Sequence, residues 1–252
     1  MTKVAQLGER EITRIGLGTN RLSNSPKNQA FVREALDAGV NFIDTAYLYA
    51  GGESERTLGE ALSQVVDGCI VATKGGFSDG RPEVIRAELE ESLRRLAVAT
   101  IDLYYLHRVD AAVPVETSLA AVKEYVDRGS VRYVGVSEVG VEQIERARQV
   151  VPIAAVQNRY NLSERRHEDV VDYCAEQQIL FVPFYPLRGD APALDEIARA
   201  HGATESQIAL AWLLKRSSTM VPIPGTLSVE HVRENLGALE IELSDEEFEA
   251  LR

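Results

Sequence analysis

The chain reads as an α/β protein whose parallel strands close into a (β/α)8 TIM barrel, with a β-hairpin ahead of the first barrel strand. Two observations predict this class. Short apolar runs alternate with longer amphipathic ones, eight of each, along the whole chain. Near-continuous apolar strands separated by helices belong to a parallel sheet covered on both faces, and eight such units suffice to close it. The length, 252 residues with 45% hydrophobic and 26% charged, suits one barrel with a sizeable core.

The elements follow in order. "VAQLGEREITRI" reads as the hairpin, turning at Gly8-Glu9. Strands are expected at 14–19, 40–46, 69–74, 101–107, 131–137, 153–157, 179–184 and 220–225. Helical patterns lie near 27–38, 54–66, 82–97, 115–128, 141–150, 164–178, 191–201 and 205–216. Gly39, Gly129 and Gly202 each follow a helical run, where a left-handed C-cap favours glycine. Thr204 and Gln207 have capping-box spacing at the start of the helix that carries Trp212, a residue read as core packing. No tandem repeat, low-complexity stretch or linker interrupts the pattern, so residues 1–252 are expected to form one barrel domain.

Composition narrows the function classes. A formal net charge of −12 argues against nucleic acid and anionic membranes as partners. Cys69 and Cys174 sit in apolar and helical surroundings and form no metal-ligand or CxxC spacing, so no metal site is expected. The N-terminus lacks an apolar targeting core, and no apolar stretch nears the length of a membrane span. A cytoplasmic protein with a small-molecule substrate and no obligate protein partner is the reading.

Barrel active sites lie at the C-terminal ends of the strands. Asp44, Lys74 and His107 close three consecutive strands, which places their side chains on one rim. Tyr49 follows Asp44 by five residues in a short loop. Each has a plain structural reading: a helix cap for Asp44, a loop aromatic for Tyr49, a polar core residue for His107. Lysine, however, seldom ends a buried apolar strand without a partner. An acid, a cation, a phenol and an imidazole at neighbouring strand ends point to chemistry.

The stretches "FIDTAYLYAGGESERTLGEAL", "VATKGG", "DLYYLHRVD", "VQNRYNL" and "IPGTLSVEHVRENL" resemble the aldo-keto reductase family, in family order from about residue 12 to 243. The resemblance implies hydride transfer from a nicotinamide cofactor to an aldehyde or ketone. By motif, Tyr49 is the proton donor, Lys74 adjusts it, Asp44 pairs with Lys74, and His107 orients the carbonyl. A free phenol titrates near 10, too high for efficient acid catalysis near neutrality, and a lysine ammonium beside it can correct that.

The resemblance also implies the cofactor contacts. Ser137 and Gln157 match residues that hold the carboxamide, with Thr19 and Asp44 at the same end. Phe184 matches the aromatic that stacks on the nicotinamide ring, followed by Pro186 and Leu187. Thr226, Ser228, Glu234 and Asn235 match the adenosine end, where a helix starting near Ser228 can offer N–H groups to a phosphate. NADPH is the expected cofactor, with NADH as the other candidate.

Three departures from the family pattern stand out. Ser137 is followed by Glu138 where asparagine is commonest. Gly225 and His231 stand where some members place a lysine and an arginine on the 2′-phosphate, with Arg233 nearby. The stretch after "FYPLRGD" enters the next helix almost at once, so no long loop folds over the cofactor. The short "RVDAAVPVE" segment and the end at "EEFEALR" suggest an open substrate site. Two other readings remain at this point: a cofactor-binding redox-sensing barrel with little turnover, and a Schiff-base aldolase using Lys74.

Overall fold

A computed structural model describes residues 2–63 and 68–252 of the chain. Its hairpin pairs β1 (Val4–Leu7) with β2 (Arg10–Thr13), Leu7 opposite Arg10. Gly8 turns the chain at a φ of +58°, and a Cβ there would lie 2.3 Å from the Tyr133 hydroxyl. Ala5, Leu7 and Ile12 are buried in one apolar cluster with Phe42, Ile70 and Leu103. The hairpin therefore plugs the barrel interior.

Seven parallel strands follow: β3 (Leu17–Gly18), β4 (Phe42–Asp44), β5 (Ile70–Gly75), β6 (Ile101–Leu106), β7 (Val131–Ser137), β8 (Ile153–Gln157) and β9 (Leu180–Phe181). They neighbour one another in chain order. The expected eighth strand, 220–225, is not a regular one. Pro222 and Pro224 carry no N–H and cannot continue a ladder. The segment still closes the barrel through single bridges, Phe181 to Met220 on one side and Gly18 to Gly225 on the other. Gly16 N donates to Pro222 O at 2.9 Å and Val221 N to Phe181 O at 2.9 Å. A Cβ at Gly18 would stand 2.8 Å from Ile223 O, so closure there needs glycine. Pro183 likewise ends β9 earlier than the apolar run suggested.

The barrel helices are α1 (Pro26–Asp37), α2 (Glu53–Leu62), α3 (Pro82–Leu96), α4 (Val115–Asp127), α5 (Val141–Arg148), α6 (Glu168–Glu176), α7 (Leu194–His201) and α8 (Glu205–Arg216). The last part of the helix expected at 54–66, residues 64–66, lies outside the described residues. Two further helices follow, α9 (Val229–Gly237) and α10 (Asp245–Ala250). The helices' apolar faces form a second, outer cluster against the sheet, with Trp212 fully buried and stacked on Tyr160.

Arg14 locks the chain end of this assembly. Its guanidinium donates to Met220 O at 3.2 Å, Leu214 O at 2.8 Å and Ser217 O at 2.5 Å. Burial pushes it down to about 10. Carbonyls at the C-terminal end of α8 supply the negative potential a buried cation needs.

Candidate active site

The rim forms because parallel register aligns the strand ends. Gly18 is opposite Asp44, Lys74 is opposite Tyr105, and Ser137 is opposite Gln157. Lys74 is fully buried. Its Nζ donates to Asp44 Oδ1 at 2.6 Å, to Thr45 O at 2.7 Å and to the Tyr49 hydroxyl oxygen at 3.4 Å. An ammonium has three protons, and all three point at oxygen. Gln157 Nε2 donates to the other Asp44 oxygen, Oδ2, at 2.7 Å, so each carboxylate oxygen of Asp44 accepts one of these side-chain bonds. Burial opposes the Lys74 charge, but Asp44 and the Tyr49 oxygen outweigh it, and the net shift is upward. Burial pushes the Asp44 carboxyl up against the pull of Lys74 and Gln157.

Tyr49 reaches this ammonium because of the turn that carries it. Tyr49–Gly52 is a single 3-10 turn in which Ala50, Gly51 and Gly52 take φ values of +49°, +63° and +89°. At Gly52 the φ of +89° disfavours any side chain, and a Cβ there would also displace the Arg95 guanidinium, 2.4 Å away. Arg95 in turn donates to Tyr47 O at 2.8 Å and to buried Glu55 at 3.2 Å, while Thr73 donates to Glu55 at 2.7 Å. The Gly-Gly-Glu-Ser-Glu run thus builds a buried ion pair behind the residues flanking both Tyr49 and Lys74. Gly59 lets α2 approach α3, since its Cβ would meet Arg95 O at 2.5 Å.

His107 stands beside Tyr49, with ring centroids 6.0 Å apart, and against Phe77 at 4.9 Å. Its backbone N donates to Gly75 O at 2.8 Å, extending the strand ladder by one residue. Burial, aided by the nearby Lys74 and Arg108 charges, holds the imidazole down to about 2. It is therefore neutral, with one N–H donor. Its Nδ1 is buried without a partner.

A cavity of about 630 Å³ opens over these groups. Of the side chains expected to touch a dinucleotide, Thr19, Asp44, Ser137, Gln157, Phe184, Pro186 and Leu187 line it. Thr19 donates to Asp44 O at 2.8 Å, and Ser137 Oγ accepts from Arg108 at 3.0 Å. Thr226, Ser228, Glu234 and Asn235 stand outside the lining, which ends at Gly225. Ser228 caps α9 through His231 N at 3.4 Å, and its hydroxyl donates to Glu230 at 2.7 Å. Glu234 accepts from Thr204 at 2.8 Å.

Glu138, the departure after Ser137, is engaged by basic partners. It has a φ of +56°, accepts from Arg159 N at 2.6 Å and pairs with Arg166 at 2.6 Å. It does not line the cavity among the described residues. The sequence reading passed over Leu48, Phe77, Arg108, Tyr185 and Arg188, which do. Phe77 and Arg108 stand three and one residues past the strand-end residues Lys74 and His107, in the loops that follow. Among the described residues no cluster of histidine, cysteine, aspartate or glutamate could hold a metal ion, and no helix is long and apolar enough to cross a membrane.

The cavity offers a nicotinamide ring an aromatic face at Phe184, with the Ser137 hydroxyl and the Gln157 amide in the same lining. A sequence model of the Aldo/keto reductase family matches residues 14–191 and 189–252. An uncharacterised oxidoreductase of Schizosaccharomyces pombe is 39% identical over 98% of this chain and 88% of its own length. A thermostable aldo-keto reductase crystallised with the inhibitor epalrestat superposes with a TM-score of 0.93 at 33% identity, covering 99% of this chain and 98% of that one. An aldo/keto reductase of Klebsiella pneumoniae, solved with NADP and acetate, superposes with a TM-score of 0.88 at 30% identity, covering 100% and 94%.

Proposed function

The chain belongs to the aldo/keto reductase family, and from that premise we propose that Asp44, Tyr49, Lys74 and His107 are the groups with which it reduces aldehydes or ketones to alcohols. NADPH is the cofactor this reading prefers, with NADH as the alternative. The observation that carries the residue roles is the three-way contact of the Lys74 ammonium with Asp44, Thr45 O and the Tyr49 oxygen.

When bound, the reduced nicotinamide supplies a hydride to the carbonyl carbon. Ser137, Gln157 and Phe184 are the residues that would hold its reactive end. Tyr49 donates its hydroxyl proton to the carbonyl oxygen, which balances the reduction and leaves a negative charge on the phenol oxygen. Lys74, 3.4 Å away, stabilises that charge. Asp44 and Thr45 O keep the ammonium aimed and charged. Neutral His107 offers its N–H to the carbonyl oxygen, from an apolar setting where such a bond is stronger than in water. Tyr49 regains its proton from solvent through the open mouth.

The Schiff-base alternative finds no support here. A nucleophilic lysine needs a depressed pKa, and the Lys74 ammonium is shifted the other way. The two free thiols, one buried and one half-buried, accord with a cytoplasmic enzyme.

Loss of reduced-nicotinamide absorbance with 4-nitrobenzaldehyde tests the proposal. Tyr49→Phe should lower kcat by about 100-fold or more. A Tyr49→Phe protein that keeps the wild-type rate would remove the proposed acid, and absence of turnover in the wild type with either cofactor would remove the reductase reading.

A further inference from the structure

The cavity carries a charge that the proposed reaction does not use. Among the described residues lining it, Asp44 is the one carboxylate, and both its oxygens are taken by Lys74 and Gln157. Against it stand Arg21, Arg108 and Arg188, which form no ion pair within 4 Å with a carboxylate among the described residues, in a chain whose net charge is −12. Arg81, Arg86, Arg94, Arg146 and Arg216 are all paired with carboxylates.

The three cations are not equivalent. Arg21 is exposed, donates to Gly225 O at 3.0 Å and sits at the barrel-closing edge, and Arg188 is exposed over the Tyr185 ring. Arg108 is half-buried and follows His107 directly. One of its nitrogens, Nη1, is anchored, donating to His107 O at 2.7 Å and Ser137 Oγ at 3.0 Å. The guanidinium lies between two aromatic rings, 5.5 Å from the Phe77 centroid and 5.8 Å from that of Phe184. Glu138 attracts this guanidinium without touching it, its carboxylate being paired with Arg166, and a cation that gives up part of its hydration with no carboxylate in contact is positioned to receive an anion.

The walls describe the rest of the ligand. Leu48, Phe77, Tyr185 and Leu187 are among the large hydrophobic side chains most open to solvent, and all four line this mouth. Phe77 is 47% exposed. An exposed apolar rim around a partly buried guanidinium matches a flat apolar body that ends in an anionic group.

We propose that the substrate class of this cavity is aromatic aldehydes or ketones bearing a carboxylate, and that Arg108 receives the carboxylate while His107 and Tyr49 face the carbonyl. The proposal rests on the carbonyl-reductase reading above. A planar guanidinium with one nitrogen already fixed loses little freedom when it takes a carboxylate, and bonds between ions are the strong ones.

The test compares 4-carboxybenzaldehyde with its methyl ester, at saturating NADPH, in wild type, Arg108→Met and Arg108→Lys. A charge-assisted bond contributes enough for about a tenfold or greater preference in kcat/KM. Wild type should favour the acid by that factor. Arg108→Met should bring the acid-to-ester ratio near one, chiefly through KM for the acid, and Arg108→Lys should keep part of the preference. Equal kcat/KM for both compounds in wild type would overturn the inference. So would an equal loss for both in Arg108→Met, because the guanidinium would then only support His107 and Ser137. If neither compound is reduced while 4-nitrobenzaldehyde is, this inference alone fails; if none of the three is reduced, the reductase reading fails with it. Ester turnover that depends on Tyr49 separates that case from the others.

Discussion

Replacing Lys74 with Met tests the central ion pair through stability and rate together. In the wild type both ions are buried, with Lys74 side-chain exposure at 0% and Asp44 at 2%. Methionine keeps the volume and removes the charge. Asp44 is then a buried carboxylate with Gln157 as its one remaining side-chain donor, and Thr45 O loses its contact as well. Breaking a buried pair by deleting one partner costs about 3–5 kcal/mol. At about 2–4 °C per kcal/mol for a domain of this size, Tm should fall by about 6–20 °C. Asp44→Asn combined with Lys74→Met removes the orphaned charge and should recover most of that loss. Turnover should follow a different course. At the 3.4 Å separation and an effective dielectric of about 20, the ammonium attracts a phenolate by about 5 kcal/mol before desolvation. Both variants lose this attraction, so both should lose about 100-fold or more in kcat. Thermal unfolding and steady-state rates of the four proteins in the cycle read the two effects separately. A Lys74→Met protein as stable as wild type would refute the buried-pair argument, and recovery of kcat in the double variant would refute the role given to the lysine charge.

Three further outcomes follow from other parts of the molecule. Folded His107 is held to about 2 against an unfolded value near 6.5, so below 6.5 the unfolded chain binds a proton that the folded chain refuses. Its neutral form favours folding above that pH, and the contribution is lost on acidification at up to about 1.4 kcal/mol per pH unit. Urea unfolding from pH 7 to 4 should therefore show a shallower pH slope for His107→Gln than for wild type. Glu230 holds the Ser228 hydroxyl at the start of α9, on the segment matched to the adenosine end. Glu230→Gln should raise the NADPH-to-NADH ratio of kcat/KM by about threefold or more, because a like charge near a 2′-phosphate is removed; an unchanged ratio would put the phosphate elsewhere. Gly135→Ala should destabilise by about 1–3 kcal/mol in denaturant titration, since the added Cβ would stand 2.4 Å from the Tyr105 ring and 2.8 Å from Ala155 O.

The barrel is legible because its signal is repeated. Each apolar run faces two covered surfaces, and each helix between them shows its own stripe, so small errors at the ends do not change the count. The misread elements share a cause in proline. "MVPIPG" has the apolarity of a strand, but Pro222 and Pro224 remove the donors that a regular strand needs, and the barrel closes by isolated bridges instead. The clustering of Asp44, Tyr49 and Lys74 was legible because Lys74 contradicts its apolar context, and a contradiction of that kind calls for a partner. The side-chain directions were not. Glu138 follows an expected carboxamide contact and Glu234 is itself an expected adenosine contact, yet their side chains pair with Arg166 and Thr204. Such pairings join residues about thirty positions apart, and no local pattern in the sequence announces them.

Arg108 shows where reading by strand ends reaches its limit. It lies beside His107 in the sequence, and its charge is cancelled in any sum over an acidic chain. Net charge governs what a protein attracts at long range, but salt screens charges beyond about 8 Å at physiological ionic strength. Inside a cavity the nearest few groups decide, and here the one carboxylate among the described lining residues is held by Lys74 and Gln157 while the guanidiniums have no carboxylate in contact. The same acidic chain can thus repel polyanions over its surface and hold a single carboxylate in its mouth.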